Sequence, residues 1–139
     1  MTGCTVSGSV SGDSSVGGVV GWNGGTVTAC YATSDVSGYS DVGGVAGRNY
    51  YGTVTGCTSS GSVSGSLNVG GVVGYNYGIV TACYWSGLPD NDNGGATKVD
   101  GTNVTWQTAV DAMNAALSGK GWQYELKDGN SLPTLKKEQ

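Results

Sequence analysis

Four cysteines, Cys4, Cys30, Cys57 and Cys83, recur at intervals of 26, 27 and 26 residues, each inside the same local phrase. A fixed period in the range of roughly 20–50 residues marks solenoids, propellers and arrays, in which each unit buries its apolar side only against its neighbours. The period constrains the fold more than any single residue.

Aligned on the cysteines, Val16-Gly-Gly-Val-Val-Gly-Trp-Asn precedes Cys30, Val42-Gly-Gly-Val-Ala-Gly-Arg-Asn precedes Cys57, and Val69-Gly-Gly-Val-Val-Gly-Tyr-Asn precedes Cys83. Gly3-Cys4-Thr5-Val6 reads as the end of one more unit, so Met1 is expected to be a start placed inside a longer array, with further repeats N-terminal to it. A second phrase places Val10, Val36 and Val63 six residues after successive cysteines. The repeats are built from valine, threonine, serine and glycine, which favour strands and turns over helix. With 27 glycines and no phenylalanine in 139 residues, any interior must be thin.

Each unit offers three short extended phrases between glycine or Ser-Gly breaks, around Val16 to Val20, Thr26 to Tyr31 and Val36. Three strands per period suit one coil of a parallel β-helix, in which equivalent residues stack at about 4.8 Å along hydrogen-bonded ladders. The expected fold is all-β, a β-solenoid with an α/β appendage; strand-to-parallel-strand crossovers are right-handed in about 98% of cases, so a right-handed coil is expected. The interior ladders are then Val10/Val36/Val63, Val16/Val42/Val69, Val19/Val45/Val72, Val27/Val54/Val80 and the four cysteines. The middle unit is one residue longer, between Asn49 and Gly52. That insertion is expected at a coil corner, with Asn23, Asn49 and Asn76 just before it stacking as an amide ladder.

The cysteines admit three readings: stacked buried thiols, a disulfide between neighbours, or metal ligands. No Cys-x-x-Cys pair and no histidine accompanies them, and a disulfide demands strict Cβ geometry. Stacked thiols acting as small apolar side chains are the commonest structural role.

The repeat ends after Cys83-Tyr-Trp-Ser-Gly87. The organisation read from the sequence is residues 1–88 solenoid, 89–97 turn-rich linker and 98–139 C-terminal cap. In the cap, Trp106, Ala109, Val110, Met113, Ala116 and Leu117 recur at three and four, an amphipathic helix stopped at Gly119. Gly121 to Leu126 alternates as a strand, Asp128-Gly129-Asn130 reads as a turn, and Leu132 to Leu135 as a closing extended piece. Such a unit is expected to cover the open end of the last coil.

Taken together, Val-Gly-Gly-Val-x-Gly-x-Asn-x-Gly-Thr-Val-Thr-x-Cys-Tyr followed by Val-Ser-Gly resembles the GLUG repeat, found in tandem in large bacterial surface and secreted proteins, some adhesin-like and some immunoglobulin A peptidase-like. The likeness covers residues 3–86, with Ile79 and Thr58 as departures. It implies an extracellular or cell-surface bacterial location and a role outside any catalytic module. The C-terminal stretch is similar to segments that often follow such repeats. The repeat has no catalytic residues of its own to carry over.

The residues set further limits on function. Without histidine, His-dependent triads and His-Glu-x-x-His sites cannot form within this chain. Asp13, Asp35 and Asp41 fall at different offsets from their cysteines, which does not suit the paired carboxylates of glycoside hydrolysis. No cofactor is expected, and the chain is read as non-catalytic. A net charge of −4, with Arg48 the one basic residue before Lys98, argues against a nucleic-acid partner. No apolar run is long enough to cross a bilayer as a helix, so no membrane insertion is expected. Asp90 and Asp92 have the alternating oxygens of a calcium loop but lack the closing glutamate, leaving a weak metal candidate beside an ordinary Asx-rich turn. Trp22, Tyr50, Tyr51, Tyr75 and Tyr77 recur beside the insertion, with Arg48 at the position equivalent to Trp22 and Tyr75. Sharing one solvent-facing edge, they would form a binding surface for a host glycan or protein; otherwise they stack on one another to protect a backbone edge. The functional expectation is a stalk or adhesive module. The alternatives are an accessory domain that positions a distant catalytic module such as a peptidase, and a polysaccharide-active β-helix.

Overall fold

The structure, a computed structural model, describes residues 1–87, 94–126 and 132–137. It is a β-solenoid of about three turns whose coils stack in parallel. Four parallel sheets run along its length. One holds Thr5–Val6, Tyr31–Ala32, Thr58–Ser59, Tyr84–Trp85 and Thr97–Lys98; the next holds Ser9–Ser11, Asp35–Ser37 and Val63–Ser64. A third holds Ser14–Gly17, Ser40–Gly43 and Leu67–Gly70, and the fourth stacks Val20–Asn23 and Thr26–Thr28 on Ala46–Thr55 and Val73–Thr81.

Residues one period apart lie over one another. Val36 is in register with Val10 and Val63, Val42 with Val16 and Val69, and Val54 with Val27 and Val80. The Val19, Val45 and Val72 backbones are joined rung to rung by 2.9 Å hydrogen bonds. The three extended phrases are all present, but the first bends at its Gly-Gly pair, and the coil has four sides. Two left-handed backbone turns recur in every coil. Ser15, Asp41 and Asn68 have φ of 54°, 54° and 52°, and Ala29 and Ala82 have 53° and 50° at positions that are glycine in Gly3 and Gly56.

The interior divides into two thin apolar compartments. One joins Val27, Val45, Val54, Val72 and the cysteines; the other joins Val16, Val36, Val42 and Val63. Between them the walls touch: a Cβ on Gly47 would stand 2.5 Å from Val16 N and 2.6 Å from Asp41 O, and one on Gly74 2.5 Å from Val42 N. The third glycine of the repeat phrase is the waist of the coil, where any side chain would wedge the sheets apart. In the last coil Trp85 takes the interior position of Ala32 and Ser59, filling the space opposite Gly71 that a Cβ would otherwise occupy.

The cysteines are free thiols, and Cys30, Cys57 and Cys83 are buried in the larger compartment with Cys4 packed against it. Each donates to the carbonyl two residues before it, Cys30 to Thr28 at 3.3 Å, Cys57 to Thr55 at 3.4 Å and Cys83 to Thr81 at 3.3 Å. The hydrogen bond from Cys57 pulls the Cys30 thiol down, to about 6, while burial pushes Cys57 well up.

The C-terminal unit lies elsewhere than on the end of the last coil. The helix Trp106–Ala116 is capped by Thr105, whose side chain accepts from Thr108 N, and buries Trp106, Ala109, Val110 and Met113, the spacing of one helical face. That face packs on the flank of the solenoid, over Ala29, Tyr31, Ala82 and Tyr84. Leu117 fills the space over Gly56 and Trp122 the space over Gly3. A helix of this length spans roughly 16 Å, the height of about three rungs. The strands Trp122–Glu125 and Thr134–Lys137 pair antiparallel beyond it, and the turn expected at Asp128-Gly129-Asn130 lies outside the described residues. The last coil is instead overlaid by Thr97–Lys98, paired in parallel on Tyr84–Trp85, and by Ala96 against the larger compartment.

Candidate functional site: an aromatic face

In the fourth sheet side chains alternate inward and outward. Asn23, Asn49 and Asn76 point inward. Asn23 Nδ2 donates to Asn49 Oδ1 and Asn49 Nδ2 to Asn76 Oδ1, each at 2.9 Å. The same amides reach backbone carbonyls of the strand, Asn49 Nδ2 to Gly52 O at 3.1 Å, and Gly25 N and Gly78 N each donate to the amide oxygen two residues before. The ladder holds the backbone where the strand is irregular. The extra residue of the middle coil is absorbed as a bulge inside the continuous strand Ala46–Thr55, not at a corner: Tyr77 pairs Tyr50 while Ile79 pairs Thr53. Tyr51 stands at that bulge with φ 59°.

The neighbouring outward positions bring the sequence candidates together. Trp22, Arg48 and Tyr75 form one ladder and Tyr50 and Tyr77 the next. The guanidinium carbon of Arg48 lies 5.1 Å from the Trp22 ring centroid and 5.3 Å from that of Tyr75, between the two rings. Asp41 holds it there, accepting from Arg48 Nε at 3.0 Å and from Nη2. Asp41 is itself buried, and its other oxygen accepts from Asn68 Nδ2 at 2.8 Å. Tyr50 and Tyr77 stack at 5.5 Å and 21°. Tyr51 sits 4.5 Å from Tyr50 and 5.4 Å from Tyr77 at 69° and 85°. A ring perpendicular to a stacked pair, yet that close to both members, must lie with one face across their edges, leaving its other face to solvent.

All five aromatic side chains are exposed, Tyr51 most at 70%, and Ile79 joins them at 59%. Arg48 is the one charged residue on the strands of this sheet, and Asp41 neutralises it. Beside Tyr51 a groove of about 490 Å³ is lined by Thr53, Asn76, Tyr77 and Ile79, within the range of small-molecule sites. Sequence reading overlooked Asp41 and Ile79 here; the signal for Asp41 was an acid in the series Ser15, Asp41, Asn68, a left-handed ladder position seven residues before Arg48. Asp90 and Asp92 lie outside the described residues.

A parallel β-solenoid with an in-register amide ladder beneath an exposed aromatic face is a repeat protein of the stacked-coil class. The GLUG motif matches it at residues 12–37 and 38–64, so the chain carries tandem GLUG repeats. The third coil stacks on the second in the same register. No curated protein and no solved structure matches the chain.

Proposed function

We propose that the chain is a non-catalytic repeat module of a bacterial surface or secreted protein, a stalk that carries an adhesive face. The observation behind this reading is the exposed aromatic strip on Val20–Asn23, Ala46–Thr55 and Val73–Thr81, fixed by an interior amide ladder and by the ion pair of the partly exposed Arg48 with the buried Asp41. Exposed apolar patches of this kind mark interaction sites, and rigid backing reduces the ordering cost of binding. Two of the three solenoid carboxylates serve other ends: Asp41 is committed to Arg48, and Asp35 accepts from Ser62 N at 2.9 Å. The face, not an acid cluster, is the feature free to act.

The test is retention of mucins, extracellular-matrix proteins and arrayed glycans by the immobilised chain, compared with a Trp22→Ala/Tyr51→Ala/Tyr77→Ala variant. Retention lost in the variant supports the adhesive role. Failure of the unaltered chain to retain any of them leaves only the stalk, or the positioning of a distant catalytic module.

A further inference from the structure

The geometry points to the groove beside Tyr51 as a subsite for a neutral hexopyranose unit of a glycan, stacked on the free face of the Tyr51 ring; this deepens the adhesive reading and rests on it. Three observations select that chemistry.

The first is ring orientation. Tyr50 and Tyr77 each turn one face to the other, and Trp22 and Tyr75 each turn one face to the Arg48 guanidinium. Tyr51, held upright across the edges of Tyr50 and Tyr77, is the most exposed of the five rings and the one whose open face stands beside the groove. The negative π-face of such a ring attracts the weakly positive axial C–H groups of a pyranose whose hydroxyls are equatorial.

The second is the lining of the groove. Ile79 and Tyr77 supply apolar walls, and Thr53 adds a hydroxyl-bearing side chain to the lining. The groove is an open trough, which admits an internal unit of a chain as well as an end.

The third is charge. The strands of this sheet carry no acid, and their one cation is bound by Asp41. A uronate or sulfated sugar would surrender hydration here with no free cation on the described strands of this sheet to receive it. A neutral sugar gives up nothing comparable.

The experiment titrates the isotopically labelled 139-residue chain with a neutral β-1,4-linked glucose tetrasaccharide, and separately with its uronate counterpart, to about 10 mM, a range that detects millimolar affinity. Expected are amide shifts centred on Tyr51, Thr53, Tyr77 and Ile79, with the uronate at least about tenfold weaker, a difference of about 1.4 kcal/mol. Tyr51→Ala should abolish the shifts and Tyr51→Phe retain them; both changes fall on a solvent-exposed side chain, and an unchanged amide spectrum elsewhere reports that the fold is intact. Equal or tighter binding of the uronate, shifts that survive Tyr51→Ala, or no shifts with the neutral sugar would each overturn the proposal. If in the last case mucin or matrix-protein retention is still lost in Tyr51→Ala, the adhesive reading stands with a protein partner; if nothing is retained, both fall.

Discussion

The Tyr124 hydroxyl donates to the Cys30 carbonyl at 3.0 Å, joining residues 94 apart in sequence. It fastens the C-terminal unit to the side of the first full coil, well away from the end of the last. Asn114 completes the attachment by pairing with both backbone groups of Tyr124, its Oδ1 accepting at 2.7 Å and its Nδ2 donating at 2.9 Å.

Removal of that hydroxyl should loosen the flank. Tyr124→Phe removes one of the two donors to the buried Cys30 carbonyl, which keeps its 3.0 Å bond from Thr58 N, and is expected to cost about 1 kcal/mol. Urea unfolding measures the loss, and faster amide exchange across Trp106–Ala116 than across Ala46–Thr55 localises it.

Alkaline pH should weaken the same region. Burial holds the Tyr124 phenol and the Cys57 thiol well above their ordinary values, so the folded state keeps protons that the unfolded chain releases near pH 10 and 8.5 respectively. Stability from these groups is fully present below about pH 8.5 and declines as pH rises beyond it. The urea midpoint is expected to fall from pH 8.5 to 11, and less steeply above pH 10 in Tyr124→Phe.

Lateral docking can be tested at Gly56. A Cβ there would stand 2.7 Å from Leu117 Cγ and Cδ2, and the backbone is left-handed at φ 61°. Alanine occupies the equivalent backbone at Ala29 and Ala82, so the conformation is accessible and the collision with Leu117 is the larger problem. Gly56→Ala should cost about 2 kcal/mol, and Leu117→Ala in the same chain should recover part of it. A double-mutant cycle without coupling would mean the helix is not seated there.

The amide ladder is expected to be the most sensitive element. Asn49 is fully buried and bonds to Asn23, Asn76 and Gly52. Asn49→Ala strands partners on both sides and should lower unfolding free energy by about 3 kcal/mol, read from urea denaturation. The spread of amide resonances from Tyr50, Tyr51 and Tyr77 should collapse as the bulge loses its support.

Asp41→Asn is expected to release Arg48 from between Trp22 and Tyr75. Because Arg48 is partly exposed, the cost should be modest, about 1–2 kcal/mol. The better readout is Trp22 fluorescence, which should shift and become quenchable once the guanidinium leaves its face.

What the sequence disclosed and what it withheld follow from one distinction. Contacts along the axis join residues one period apart, and the period is written in the chain: the stacking of Val16 with Val42, or Asn23 with Asn49, needs only the repeat. Contacts across the axis depend on the cross-section of the coil, which the period does not encode. The bend at Gly17 and Gly18 gives four sheets where the glycine punctuation marks three phrases. Asp41 meets Arg48 because a left-handed turn brings their strands together, and Trp85 enters the interior because Ala32 and Ser59 mark an inward position. The helix was legible from its spacing, but its seat was not. The small residues Gly3, Ala29, Gly56 and Ala82 that receive it look from sequence like turn residues, and they are a groove only once stacked.

The most direct measurement is the pattern of nuclear Overhauser contacts made by Val42 in the folded chain. In-register parallel coils are expected to place its backbone protons beside those of both Val16 and Val69, with amide-to-α contacts offset as parallel strands require. Close α-to-α contacts between the Val-Gly-Gly-Val phrases, the mark of antiparallel pairing, or no contact with either valine, would contradict the stacked solenoid and dissolve the aromatic face built on it.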